Sequence, residues 1–503
     1  MDNKLNSIHS LCSSACYDHP TSSIRVIETH ISWILLTGDY AYKVKKPLDL
    51  GFLDFSTLDK RLTACREEVR LNRRTAPDIY IGVVPITGTP EAPRVNGEGE
   101  AFEYAVKMRQ FPAEVTLDRL DAEGGMTAQH VGAIAATLAR FHLQECDKAS
   151  DDSAWGTPEA VWKPVAQNFA QIAPHLESAA DRNLLDALSR WSEAEHARLA
   201  PLMAARKQNG FVRECHGDLH LGNLAWVDDK LLVFDCIEFS AELRWIDIQS
   251  EIAFCYMDFL QRGHARFAWL FINLWLEETG DYAGLVLLRY YAVYRAMVRA
   301  KVAAIRTGQL TGAERKEALE DVRALLTLAV QLTKPIPLCL SITHGLSGSG
   351  KSTVTHDLMQ HPGAIRLRSD IERKRMAGLA ALAKSGSGVG TKLYAADATR
   401  QTYARLAELS GLLLDAGWPV IVDATFIARW QRDLLREASK EHKAKFHILD
   451  FPVPIETLKQ RIVQRASKGK DASEADLAVL QHQLKTQEPL GEDELTDISQ
   501  SIS

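Results

Sequence analysis

The chain has 503 residues, 46% hydrophobic and 25% charged, which is a soluble globular composition spread over more residues than one ordinary core holds, so two to four domains are expected. A formal charge of −6 gives no general pull toward nucleic acid or anionic lipid, and the longest apolar runs, such as "FAWLFINLW" (267–275), fall short of the ~20 residues a membrane span needs. The start "MDNKLNSIHSLCSSAC" lacks the basic and apolar regions of a secretory signal, and eight cysteines without a CxxC or zinc-type spacing read as reduced thiols in a cytosol, which disfavours export, disulfides and structural zinc.

In chain order, residues 20–112 read as a β-rich lobe. "HISWILL" and "YAYKVKK" flank the turn "TGD" and should pair as a hairpin, whose alternation puts Lys43 and Lys45 on one face. A helix is expected from Ser56, with Asp59 in a capping arrangement, running through "CREEVRLNRR". "IYIGVVPITG" and "FEYAVKMRQF" read as further strands, and from about 127 to 332 the pattern is mostly helical, interrupted by the strand-like "LLVFD". The prolines of "TKPIP" (333–337) stop a long helix and mark a linker. Beyond it, "LCLSITHG", "VIVDATF" and "FHILDF" alternate with helices, as in a parallel sheet covered on both faces. The tail 491–503 has the acidic, Ser-rich composition of a disordered segment. From 338 onward 22 Lys and Arg face 20 Asp and Glu, so the acidic excess lies in the first 337 residues. The basic stretch "RLRSDIERKR" (366–375) reads either as a solvated helix face or as a surface for an anionic substrate.

Two motifs carry chemistry. In "HGDLHLGN" (216–223), Asp218 and Asn223 are followed by Asp235 at the end of "LLVFD". Phosphoryl transfer from a nucleotide needs a carboxylate to orient and deprotonate an acceptor hydroxyl, and hard oxygen ligands for Mg²⁺; these residues supply both. The order and spacing match the catalytic loop and metal-binding Asp of protein kinases. The segment "HGDLHLGN…VFDCIEF" resembles the aminoglycoside phosphotransferase and choline kinase group, with its protein-kinase-like fold, over roughly residues 20–330. The resemblance implies Asp218 as catalytic base, Asn223 and Asp235 as magnesium ligands, and His216 as a brace of the loop. It also implies a strand lysine for the α- and β-phosphates, with a helix glutamate as its partner. Lys43 and Glu68 are preferred, with Lys45 and Glu67 as rivals. His142 and Asp247 resemble family positions too, with core bracing as the better reading. No G-x-G-x-x-G precedes the hairpin, so the cover over the phosphates must be built differently.

"GLSGSGKS" (345–352) satisfies G-x-x-x-x-G-K-[ST], with an apolar strand before it and a helix-like stretch after it. Glycines let successive N–H groups of Gly345, Leu346, Ser347, Gly348, Ser349, Gly350, Lys351, Ser352 and Thr353 curl around phosphates. Lys351 neutralises the β- and γ-oxygens, and Ser352 ligates Mg²⁺. Asp370 and Arg373 share a helix face, Asp423 ends a buried strand, and Arg461 and Arg465 lie one turn apart on a late helix. Together these residues resemble the small P-loop kinases: polynucleotide kinase, chloramphenicol phosphotransferase and zeta-type toxins, over about 338–487. The resemblance implies Asp370 as base, Arg373 against the acceptor, Asp423 near the metal, and Arg465, with Arg461 behind it, as lid arginine. The Gly/Ser-rich 378–391 reads as a loop over the acceptor or a plain connection.

The expected architecture is therefore an α+β bilobal protein-kinase-like domain (1–332, lobes about 20–112 and 113–332), a linker at 333–337, an α/β P-loop NTPase domain with a parallel sheet (338–490) and a tail (491–503). The expected function is a cytosolic tandem kinase using ATP and Mg²⁺ on hydroxyl acceptors, with nucleic acid entering only as an acceptor and no membrane partner. The alternatives are a P-loop kinase with a regulatory kinase-like first domain, and an NTP-driven, toxin-like switch. ATP against GTP, the acceptors and the oligomeric state are left open by the sequence.

Overall fold

The computed structural model describes residues 8–21, 23–51, 53–308, 310–360, 363–380, 396–468 and 475–499, with the backbone alone at 465–468. The Arg465 side chain and 381–391 of the Gly/Ser-rich loop lie outside the described residues. The chain divides into two compact units: Met1–Gln167 with Ala194–Asp258, and Asn168–Glu193 with Phe259–Ser503. This division does not follow the prolines at 333–337. The helices after Asp258 are apolar on more than one side, and they bury that surface in the same unit as the parallel sheet. Among the described residues no helix is long and apolar enough to cross a membrane.

The first unit is built on a six-stranded antiparallel sheet of order β1-β2-β3-β6-β4-β5. Its strands are β1 (Arg25–Glu28), β2 (Ser32–Leu36), β3 (Tyr40–Lys45), β4 (Tyr80–Thr89), β5 (Ala92–Val95) and β6 (Glu103–Arg109). The β2-β3 hairpin pairs Trp33 with Val44 and Ile34 with Lys43. Alternation then sorts β3: Tyr42 and Val44 enter a cluster with Leu11, Cys16, Trp33 and Leu35, while Lys43 and Lys45 share the opposite face. Helix α1 (Leu58–Asn72) lies on that second face, with Cys65 and Val69 packed against Tyr80 and Val106. Its N-cap is Thr57, whose hydroxyl accepts from the Lys60 N–H, one residue later than the Ser56 start expected from the sequence. Ser56 instead donates to Asp54. Two small ribbons, β7 (Val212–Glu214) with β10 (Trp245–Asp247) and β8 (Leu224–Val227) with β9 (Lys230–Val233), frame the loop 216–223, and α2 (Ile248–Gln261) follows β10 directly.

The second unit holds a four-stranded parallel sheet of order β12-β13-β11-β14, from β11 (Cys339–His344), β12 (Ile365–Arg368), β13 (Val420–Asp423) and β14 (Lys445–Asp450). The strand β12, which the sequence reading passed over, is an edge strand. Helix α3 (Ala265–Thr279) covers it, and the Asn273 side chain accepts from Arg366 N (2.7 Å) and donates to Ala364 O (3.1 Å), imitating a neighbouring strand. The helices that frame the site are α4 (Lys351–Leu358), α5 (Ser369–Met376), α6 (Ala396–Asp415), α7 (Arg429–Glu441), α8 (Ile455–Lys468) and α9 (Leu477–Thr486). The expected disordered tail is corrected through residue 499. Glu494 is fully buried and takes two bonds from the equally buried Arg432 of α7 (2.7 and 2.9 Å), and Ile498 bridges to Ile448. Its acidic residues are the counter-charges of α7, where Arg429 and Arg436 also meet Asp493 and Asp497.

Candidate functional site

In the first unit a buried charge network spans α1, β3 and the segment after β9. Glu68 receives Lys43 (2.9 Å) on one oxygen and Lys45 (2.5 Å) on the other. Lys43 also bonds Asp235, and Lys45 bonds Glu238. Both lysines thus meet Glu68, while Glu67 pairs with Arg70 at 2.8 Å on the outer side of the helix. Burial works against both ammonium groups. Asp235 and Glu68 beside Lys43, and Glu238 and Glu68 beside Lys45, outweigh it and hold each above the ordinary lysine value. Burial pushes the Glu238 carboxyl up.

Asp235 sits at φ 64°, the left-handed region that Asp tolerates better than most residues. It is held there by a bond from its N–H to the Tyr80 hydroxyl (3.2 Å) and by the next N–H, of Cys236, on Asn72 Oδ1 (2.9 Å). Its side chain keeps 45% of its surface exposed, and the charge of Asp218 is among those it feels. Asn223 Nδ2 donates to Asp218 O (2.8 Å) and Oδ2 (3.2 Å), and His220 Nε2 lies 3.5 Å from Asp218 Oδ2. His216 is buried, with Nε2 against Phe234 O at 2.7 Å. The structure therefore brings Lys43, Glu68 and Asp235 together, and Asp218 with Asn223 beside them.

The sequence reading missed what holds this loop. Glu251 of α2 accepts from the N–H groups of His216 (2.6 Å) and Gly217 (3.0 Å), and Asp258 accepts from Leu221 N (2.8 Å). Asp247 is a brace, bonded to Arg206 at 2.7 and 2.9 Å. His142 is fully buried, and desolvation, aided by Arg213, lowers its pKa to about 3. Helix spacing around "RWIDIQSE" could have paired Asp247 with Glu251 on one face, but nothing local says that the partner is loop backbone.

Where kinase-like lobes carry a glycine loop, β1 and β2 are joined by Thr29, His30 and Ile31 alone. Thr29 Oγ1 accepts from the N–H groups of Ile31 (3.4 Å) and Ser32 (2.9 Å), and Thr29 N donates to Ser32 O (2.9 Å). Those amides are turned into their own turn.

The second unit has the opposite construction. β11 runs into the loop 345–350 and then α4, and the parallel register sets Asp423, at the end of β13, on the same side as the loop. Gly350 (φ 94°) caps α4, and Gly348 (φ 86°) could not carry a Cβ without pressing it 3.1 Å from Leu458 O. Lys351 Nζ donates to the carbonyls of Gly345 (2.9 Å) and Leu346 (2.8 Å) and to Ser349 Oγ (3.3 Å). The loop borders a cavity of about 770 Å³. Ser347, Gly348, Gly350, Lys351, Ser352 and Thr353 line it, and Asp370, Arg373, Asp423 and Arg461 complete that wall; Gly345, Leu346 and Ser349 sit behind the lining. Arg373 contacts Asp370 at 3.1 Å, Thr355 Oγ1 donates to Asp423 Oδ2 (3.2 Å), and Arg461 reaches Gly348 O (3.4 Å) and Ser349 O (3.3 Å).

Two lining features escaped the sequence reading. Gln483 of α9 accepts from Ser347 N (2.9 Å) and donates to its hydroxyl (3.0 Å). Trp430 is 42% exposed beside the cavity, with the Tyr403 ring 5.5 Å away and the Arg400 guanidinium 5.9 Å away. The basic stretch 366–375 is not a solvated face, because Arg366 is buried against Glu277 while Arg368 and Arg373 line the cavity.

Residues 87–288 match the model of the phosphotransferase enzyme family, and residues 340–490 match that of the AAA domain. An uncharacterized protein of Mycobacterium tuberculosis is 28% identical over 472 residues, covering 92% of this chain and 91% of its own. Among solved structures, a Plasmodium vivax ethanolamine kinase aligns at 11% identity over 62% of this chain and 82% of its own, with a TM-score of 0.39. A choline kinase from Cryptosporidium parvum aligns at 10% identity over 62% and 89%, also with a TM-score of 0.39. The chain thus joins a kinase-like α+β domain, similar over 87–288 to the phosphotransferase enzyme family, to a P-loop domain with a parallel sheet.

Proposed function

We propose that this chain is a tandem phosphotransferase whose P-loop half moves the γ-phosphoryl group of ATP to a hydroxyl acceptor. The observation that carries this reading is the glycine loop opening onto a cavity of about 770 Å³ on which Lys351, Ser352, Asp370, Arg373 and Asp423 converge. Phosphoryl transfer asks a protein mainly for positioning and charge stabilisation, and this set provides each part. The amides of Gly348, Gly350, Lys351 and Ser352, with the Lys351 ammonium, hold the phosphates. Asp370 takes the acceptor proton, Arg373 orients Asp370 and the acceptor, and Arg461 counters charge on the moving group. In the first unit Asp218 is the base, and Lys43, fixed by Glu68, faces the phosphates.

The donors offered to a cation are oxygens only, Ser352 and Asp423 in one site, Asn223 and Asp235 in the other, which suits Mg²⁺; when bound it would neutralise phosphate oxygens. Lys351→Ala and Asp218→Ala, made singly and together, test the proposal. ATP turnover that is unchanged in all three variants sinks it.

A second reading, favoured by the closed Thr29 turn, gives transfer to the P-loop half and leaves the kinase-like domain as a regulatory or ligand-binding module. Calorimetry of Lys351→Ala full-length protein with ATP and Mg²⁺ separates the two. Residual binding that disappears on adding Lys43→Ala, together with transfer that depends on Asp218, excludes the regulatory reading.

A further inference from the structure

We propose that Glu277, on α3, is a positioning residue for the P-loop site, although it lies within the 87–288 stretch that matches the other family. The inference rests on the reading of 345–352 as a nucleotide loop. Glu277 is buried, and its Oε1 accepts from Arg366 Nε (2.8 Å) and NH2 (2.6 Å). The remaining nitrogen of that guanidinium, NH1, reaches Ser352 O (3.3 Å) and Thr355 Oγ1 (3.4 Å), and Thr355 in turn bonds Asp423. The second oxygen of Glu277 lies 3.8 Å from Arg368 NH1, and Arg368 Nε lies 3.8 Å from Asp423 Oδ2. One carboxylate therefore sets two arginines whose far sides touch the first turn of α4 and the acid at the end of β13.

The charge arrangement explains why a carboxylate is needed. Arg366 is 3% exposed, and a buried guanidinium keeps its place only against a fixed counter-charge. Without Glu277, Arg368 would close on Asp423, which it already approaches, and pull it away from the cavity it lines, while Arg366 would be left buried against Ser352 O and Thr355 without its counter-charge. Asn273, one turn earlier on α3, fixes the β12 backbone from which both arginines project. The P-loop site is thus completed by a helix that precedes its own family segment by some sixty residues.

The test is calorimetric titration of full-length protein with adenylyl imidodiphosphate and Mg²⁺, with melting temperatures measured alongside. Lys351→Ala should lose the P-loop component of the binding and keep only the component that Lys43→Ala removes. Glu277→Gln should weaken the P-loop component about tenfold, as removal of outer supports of a site does. The double variant Glu277→Gln/Arg368→Gln should bind no worse than the weaker single variant, because both act through Asp423. Affinity of Glu277→Gln within twofold of wild type, or effects that multiply in the double variant, overturns the proposal. If Glu277→Gln does not fold, Glu277→Asp, which keeps the charge but withdraws it by one methylene, must weaken binding at least threefold; wild-type affinity then overturns it. Wild-type binding by Lys351→Ala would instead sink the nucleotide-loop reading and this inference with it.

Discussion

The two sites in this chain hold their lysines in contrasting ways. Lys43 and Lys45 are buried among Glu68, Asp235 and Glu238, so their charge is already met by carboxylates from two parts of the first unit. Lys351 lies against carbonyl and hydroxyl oxygens of its own loop, at the wall of an open cavity. The nearby backbone differs in the same sense. The Thr29 turn binds the Ile31 and Ser32 N–H groups to the Thr29 hydroxyl, whereas 345–350 uses positive-φ glycines to bend around a space. A lysine neutralised inside a network contributes to folding and attracts a further anion weakly; one held by its own loop costs little to redirect toward a phosphate.

The largest expected effect is on catalysis. Lys351→Ala should reduce acceptor-dependent ATP turnover about 10³-fold, in line with the loss of a main charge on the transferred group. Turnover that follows Asp218 alone, in the same assay, breaks the comparison. Asp370→Ala should cut acceptor phosphorylation about 10²- to 10⁴-fold while sparing background ATP hydrolysis, measured as free phosphate against labelled product. Equal loss of both activities would favour an NTP-driven switch over a kinase.

Stability should show the reverse ranking. Lys45→Met strands Glu238 in the interior, leaves Glu68 with Lys43 alone, and should cost the first unit about 3–5 kcal/mol in urea unfolding. Lys351→Ala should stay within about 1 kcal/mol. Glu494→Gln should cost the second unit about 3 kcal/mol, because it leaves Arg432 buried without its carboxylate.

The smallest effect is a pH slope. His142 stays neutral in the fold down to about pH 3, whereas an unfolded chain protonates it near pH 6.5. Its contribution is therefore complete above pH 6.5 and is lost as the pH falls, at about 1.4 kcal/mol per unit. Urea midpoints at pH 7.5 and 5.5 for wild type and His142→Gln should converge at the lower pH; parallel curves would show that this imidazole is not kept neutral.

Much of this was readable before folding. "HGDLHLGN" and "GLSGSGKS" place most of their groups within eight residues, so spacing alone brings Asp218 to Asn223 and Lys351 to Ser352. The hairpin register followed from alternation, which put Lys43 and Lys45 on one side of β3. Other parts were misread for a common reason. β12 carries arginines where a buried strand would carry apolar residues, because Glu277 and Asn273 from a distant helix satisfy them. The tail has a disordered composition, because its acids are matched by arginines sixty residues earlier.

What the sequence determined by itself is the pair of phosphate-type motifs and the order of strands and helices that present them, since these depend on local backbone geometry and on periods of two and 3.6 residues. Only the tertiary structure decided how the charges are paired. Burial makes an ion pair's partner a matter of through-space distance, and Glu68 serving two lysines, Glu251 holding loop amides and Glu277 holding two arginines are all long-range choices.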